Sequence, residues 1–245
     1  MRSGILLAGL AGSLAFLLLF MPACLNPGDW DGGSAEVQTE HRSVQLGTAD
    51  TVQADINLGA GGLEVTGGAS DLLMDGAFRY RPASWKPIVR YNETGFRGRL
   101  EIRQPAGHHT LGSSRNDWVV KLNEKVPLNL KVNVGAGESR LNLGSLNLRG
   151  LTVNMGAGQV FVDLRGNIRH SFRASLSGGV GQAIVRVPRD SVGVAATARG
   201  GIGSIQVHGL EKRGGRWVNS AWDTAESRIE LAIHGGIGQI VIRTE

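Results

Sequence analysis

The chain has 245 residues, enough for one large domain or two smaller ones, and 41% of them are apolar, so a core can form. Glycine fills 37 positions, about twice the usual share, yet no Gly-X-Y phase runs through them, which excludes a collagen-like chain and assigns the excess to turns. A net charge of +5 draws anionic surfaces only weakly, so nucleic acid is not an expected partner, and a single cysteine excludes an intrachain disulfide.

Residues 1–23 read as a secretory signal peptide. Arg2 supplies the charged start and Ile5–Phe20 the apolar run. Met21-Pro22-Ala23-Cys24 then resembles a bacterial lipoprotein cleavage site, which makes Cys24 the expected point of lipid attachment. Residues 24–49 contain Asn26-Pro27-Gly28-Asp29 and Asp31-Gly32-Gly33-Ser34 and read as a polar tether. The expected location is therefore the bacterial cell envelope, with the membrane reached through an N-terminal lipid. Leu25, in place of an aspartate after the cysteine, resembles lipoproteins sent to an outer membrane.

Residues 50–116 form a predicted N-terminal β-region. Val52–Val65 is a strand, a Gly-Ala-Gly triplet and a second strand; Leu72–Tyr80, Ile88–Tyr91, Arg99–Arg103 and, just beyond, Trp118–Leu122 are further strands. Phe78, Tyr80, Trp85, Tyr91 and Phe96 alternate with basic residues, as strands with aromatic inner and basic outer faces would; the competing reading is a contact surface for anionic lipid or glycan. Gln104–Asn116 is a predicted loop, and His108-His109 is too short a cluster to imply a metal site.

Residues 117–245 carry the repeat. Six triplets align over the chain: Gly59-Ala60-Gly61, Gly135-Ala136-Gly137, Gly156-Ala157-Gly158, Gly179-Val180-Gly181, Gly201-Ile202-Gly203 and Gly236-Ile237-Gly238. Their first glycines are 76, 21, 23, 22 and 35 residues apart, which sets a period near 22 with one insertion between the last two. Apolar residues stand three before each triplet and six after its first glycine. Period-two alternation on both sides predicts strands with one buried face, joined at glycine bends. One such unit cannot bury its apolar face alone, so the expected fold is all-β: a β-solenoid-like stack of short strands, with a β-sandwich as the alternative. The triplets read as structural turns rather than as a phosphate loop, because a strand rather than a helix follows each one.

The insertion falls within His208–Ser227. Its Lys212, Arg213, Arg216, Trp217 and Trp222 form a candidate contact loop, or else a lid in which the tryptophans cover the last rung. No nucleophile elbow and no His-Glu-x-x-His motif is present, and the six histidines are scattered. Glu64 and Glu138 follow triplets where Gln159, Gln182, Ser204 and Gln239 also occur, the pattern of polar turn residues. No catalytic residue, metal ligand or cofactor is expected.

Trp118–Leu128 with Val134–Gly137, Val187–Val194, Gly200–Gly203, Trp217-Val218-Asn219 before Trp222, and Gly235–Gly238 resemble the toast-rack family. The resemblance covers roughly 50–245, is strongest over 117–245, and is closest to the C-terminal domain of LiaF-type cell-wall stress regulators. It implies a stack of β-strands. It also implies an envelope setting in which such regulators restrain a sensor kinase from beside membrane helices that this chain lacks. The leading expectation is an exported envelope lipoprotein whose β-domain binds a protein, a glycan or itself, with no catalysis. A stress-response regulator and a glycan-processing enzyme are the alternatives.

Overall fold

The structure, a computed structural model, describes residues 36–69, 71–106 and 114–245. Cys24, the signal segment, the start of the tether and His108-His109 lie outside the described residues. Within them, thirteen strands form one sheet: β1 (Gln38–Gln45), β2 (Thr51–Gly67), β3 (Leu72–Arg81), β4 (Ile88–Thr94), β5 (Arg97–Arg103), β6 (Arg115–Leu122), β7 (Leu128–Asn142), β8 (Leu148–Asp163), β9 (Phe172–Val187), β10 (Gly193–His208), β11 (Glu211–Arg213), β12 (Arg216–Val218) and β13 (Arg228–Thr244).

The six long strands each carry one triplet, and they lie side by side in parallel register in the order β2, β7, β8, β9, β13, β10. Parallel rungs of this kind form a solenoid-like stack, not a sandwich of hairpins. Each triplet divides its strand into an N-terminal and a C-terminal arm. In β7 the buried residues are Leu128, Leu130, Val132 and Val134 before the triplet, then Ser139 and Leu141 after it. The switch from even to odd numbers means the strand must rotate at the triplet for both arms to face one core. Gly137 makes the rotation at a φ of +134°, in the region that favours glycine.

Short connections return each rung to the start of the next. They bury Leu143 and Leu146 between β7 and β8, and Leu164 and Ile168 between β8 and β9, in the same apolar core as the two arms.

Stacking departs from chain order at one point. β13, the last strand, inserts between β9 and β10 and pairs in parallel with both. The interval of 76 residues before the second triplet is also explained. A rung without a triplet precedes β2, built from β5 on its N-terminal arm and β6 on its C-terminal arm. Antiparallel strands then finish that end: β4 on β5, β3 on β6, and β1 on β3. The sheet runs unbroken through residues 116 and 117, which both lie in β6.

One expectation is corrected here. Residues Gln38–Gln45 of the expected tether form β1, paired with β3 from Gln38↔Tyr80 onward. This strand is an exposed edge held by backbone pairing, so its sequence, QTEHRSVQ, carries almost no apolar alternation to reveal it.

The aromatic reading of strand inner faces holds for Phe78 and Tyr80, buried on β3, with Phe78 and Trp118 edge to face at 5.5 Å; Trp85 is buried too, but in the short helical turn Ala83–Trp85 rather than on a strand. Phe96 is 73% exposed at the β4–β5 turn.

Candidate functional site

The register places equivalent residues of successive rungs in columns. One inner column, just before the triplet, reads Leu58, Val134, Met155, Gly178, Gly235, Gly200 along the stack. The column at the centre of the triplets reads Ala60, Ala136, Ala157, Val180, Ile237, Ile202. The first three rungs thus fill the inner corner and keep a small residue at the bend. The last three do the reverse.

The consequence is an apolar hollow of about 80 Å³ lined by Val153, Met155, Leu176, Ile233 and Ile240 together with triplet glycines. A Cβ on Gly178 would meet nothing within 4 Å, whereas one on Gly235 would sit 3.1 Å from the Ile240 Cδ1. At the bend beside the hollow stand Val180, Ile237 and Ile202, which are 52%, 51% and 71% exposed. The hollow opens to the surface, and its mainly apolar lining suits a small apolar group better than a polar one. Sequence reading treated these triplets as bends alone. The signal that would have revealed the hollow is the joint exchange of Leu/Val/Met for Gly and of Ala for Val/Ile.

The glycines themselves pack backbone to backbone. A Cβ on Gly137, Gly158, Gly181, Gly238 or Gly203 would run into the carbonyl of the matching glycine on a neighbouring rung, and one on Gly135, Gly156, Gly179, Gly236 or Gly201 would do likewise against the first glycine of that rung's triplet. Gly59 and Gly61 instead face the rung that has no triplet. There the Gln104 Oε1 accepts from the Gly59 N–H at 2.8 Å and from the Ala60 N–H at 3.3 Å, while the Asn116 Nδ2 donates to the Ala60 carbonyl at 3.0 Å. Two side chains at the ends of the predicted loop therefore do the work that the next triplet does elsewhere.

The outer face of the N-terminal arms carries an amide ladder. The Asn133 Nδ2 donates to the Asn57 Oδ1 at 2.7 Å, and the Asn154 Nδ2 to the Asn133 Oδ1 at 2.8 Å. On the C-terminal arms the Gln182 Nε2 donates to the Gln239 Oε1 at 2.6 Å. These amides partner one another along the stack, which leaves them less free to grip a ligand. Glu138, Gln159, Gln182, Gln239 and Ser204 do share a column, but its first member is Gly62; Glu64 lies two residues on, opposite Arg140.

The insertion is a β-hairpin, β11–β12, turned at Gly214-Gly215 and joined to the stack through Ala195↔Val218 and Ala196↔Trp217. Its basic residues have local partners. Lys212 stands 5.6 Å from the Trp217 ring and Arg216 4.8 Å from the Trp222 ring, and Arg213 pairs with Asp223 at 2.7 Å and with Glu211. The structure thus brings Lys212, Arg213, Arg216, Trp217 and Trp222 together, with Val218 and Asn219 buried at the base.

Perturbed titration also serves local structure. Burial, then the hydrogen bond to Glu93, pushes the Tyr91 hydroxyl up to about 12; that same bond, before any other influence, holds Glu93 low. Both shifts lead away from neutral pH. Among the described residues no group of His, Cys, Asp and Glu is placed to hold a metal ion, and no helix is long and apolar enough to cross a membrane.

A family model described as the N-terminal domain of toast_rack, DUF2154, matches residues 33–186. A solved structure of a proposed cell adhesion protein from Clostridium sporogenes is 34% identical, with 86% of this chain and 100% of that chain covered and a TM-score of 0.82. A proposed adhesin from Bacteroides fragilis is 10% identical, with 85% and 98% covered and a TM-score of 0.29. No curated protein matches the chain.

Proposed function

Since the chain belongs to the toast-rack family, we propose that it is an exported envelope protein whose β-stack acts by binding another envelope protein rather than by catalysis. The observation that carries this reading is the row Val180, Ile237, Ile202, which the first three rungs replace with alanine. Exposed apolar side chains beside an apolar hollow lose free energy to water and regain it on contact. The stack gives them fixed spacing, so a partner meets a preformed surface. A contact role also agrees with the cell adhesion description given to the Clostridium sporogenes relative. The outer amides partner each other, which favours a protein over a glycan as the ligand. The anchor in this reading is a lipid on Cys24, which would hold the domain at the membrane through residues 25–35.

The test is recovery of partners from native membranes with the tagged full-length protein. Val180→Lys with Ile237→Lys should abolish recovery of a partner that the wild type retains, while thermal unfolding stays near wild type. Equal recovery by both would remove the surface from the account. Labelled fatty acid should appear on the wild type and not on Cys24→Ser; its absence from the wild type overturns the anchor.

A further inference from the structure

Four strand edges carry no strand on their outer side among the described residues: β1, β4, β11 and the C-terminal arm of β10, Gly200–His208. Free edges invite further pairing, and charge is a common guard against it. β1 carries Glu40, His41 and Arg42; β4 carries Arg90 and Glu93; β11 is Glu211-Lys212-Arg213. Past Arg199, which shares the same unpaired edge, β10 reads Gly-Gly-Ile-Gly-Ser-Ile-Gln-Val-His and contains no Asp, Glu, Lys or Arg. Its inward side chains are also incompletely covered. Ile205 is 39% exposed, whereas its neighbour in register, Ile240, is 4% exposed; Val207 is half-buried, whereas Ile242 is fully buried.

We propose that this arm pairs antiparallel with the same arm of a second copy, making a two-fold dimer that continues the sheet. The choice of a second copy rests on how the strand complements itself. A two-fold axis perpendicular to the sheet keeps both inner faces on one side, so opposed residues must share a face. With the axis at Gln206, Ile205 lies opposite Val207 of the copy on the inner face, twice over. On the outer face Ser204 lies opposite His208, and Gln206 opposite itself. No like charges meet. The facing glutamines can exchange an amide hydrogen bond as Gln182 and Gln239 do within the chain. Each Ile205 and Val207 then acquires a strand on both sides, the condition that buries Ile240 and Ile242 one rung in.

The inference rests on the free edge rather than on the exposed row; Ile202 belongs to both, but Val180 and Ile237, the residues replaced in the partner test, belong to β9 and β13, inside the stack, so the two tests fail separately. The experiment is disulfide trapping of the full-length protein in native membranes. Ser204→Cys, Gln206→Cys and His208→Cys are each introduced singly and oxidised with copper phenanthroline. Wild type, with Cys24 alone, and Arg42→Cys on the β1 edge serve as references. The expected result is a reducible band of twice the chain mass, several-fold stronger than either reference, from Gln206→Cys. If the axis instead lies at Ser204 or His208, a register shift of four residues, the strongest band comes from Ser204→Cys or His208→Cys. Adding Ile205→Lys should return the signal to the reference level while the monomer still unfolds cooperatively. Failure of all three positions to exceed the references overturns the proposal. So does a band of another mass, which would show that a different protein occupies the edge, and so does a signal that Ile205→Lys leaves unchanged.

Discussion

A Cβ on Gly158 would be driven into the Gly137 carbonyl of the rung before it, at a φ of +124° that a β-branched side chain resists. Gly158→Val or Gly137→Val should therefore cost at least about 2 kcal/mol in urea unfolding. Gly178, on the next rung, is the contrasting case. Its φ is ordinary and its Cβ would enter open space. Gly178→Ala should leave stability unchanged or raise it by up to about 1 kcal/mol, since alanine loses less chain entropy. Asn219 is a third kind of residue. Its Oδ1 accepts from the Val194 N–H at 2.8 Å, and its Nδ2 donates to the Val192 carbonyl at 2.7 Å and the Arg189 carbonyl at 3.0 Å. Asn219→Ala should cost about 3 kcal/mol by stranding these buried groups. Asp163 adds a dependence on pH. Burial raises its pKa, but hydrogen bonds from Arg165 and the charges of Arg165 and Arg186 outweigh that and hold it low. A lowered folded pKa means its stabilisation is present above the unfolded value, about 3.9, and fades as pH falls through the folded value. Asp163→Asn should flatten the acid limb of stability against pH. The bend glycines were legible in the sequence because a repeat exposes them. Asn219 was not, because its partners lie 25 to 31 residues away and no period links them.

The β11–β12 hairpin divides into a tip that touches itself and a base that belongs to the core. Replacing Lys212–Arg216 by two glycines removes exposed ion pairs and two cation–ring contacts, each worth about 1 kcal/mol or less. The melting temperature should fall by only a few degrees. Val218→Asp, at the base, should prevent cooperative unfolding altogether, because Val218 is 1% exposed and pairs with Ala195. The position of the insertion was legible from the 35-residue interval between triplets. Its form was not: β11 and β12 are three residues each, too short for alternation to register. The rung formed by β5 and β6 was hidden for a related reason. It has the strands of a repeat, but Gln104 and Asn116 take the part of the triplet, so the glycine signature vanishes where its hydrogen bonds persist.

At the scale of the molecule, the repeat announces a stack and leaves the order of its rungs open. Every rung has the same alternation, so nothing in β10 or β13 says which of them follows β9; the exchange becomes visible only through pairing in space. It matters because β13 is interior. Deleting residues 228–245 removes a middle rung rather than an end one, and leaves β10 without a strand on either side of its C-terminal arm. The truncated chain should lose cooperative unfolding beyond β9 and show rapid proteolysis of residues 188–227, where loss of an outermost rung would only shorten the stack. The same insertion bears on how the protein is made. Synthesis delivers β10 before β13, so a nascent chain can dock rungs as far as β9 and must then wait. Until β13 has left the ribosome, β10 and its hairpin have no permanent neighbour, and docking of the rung made first waits on the rung made after it.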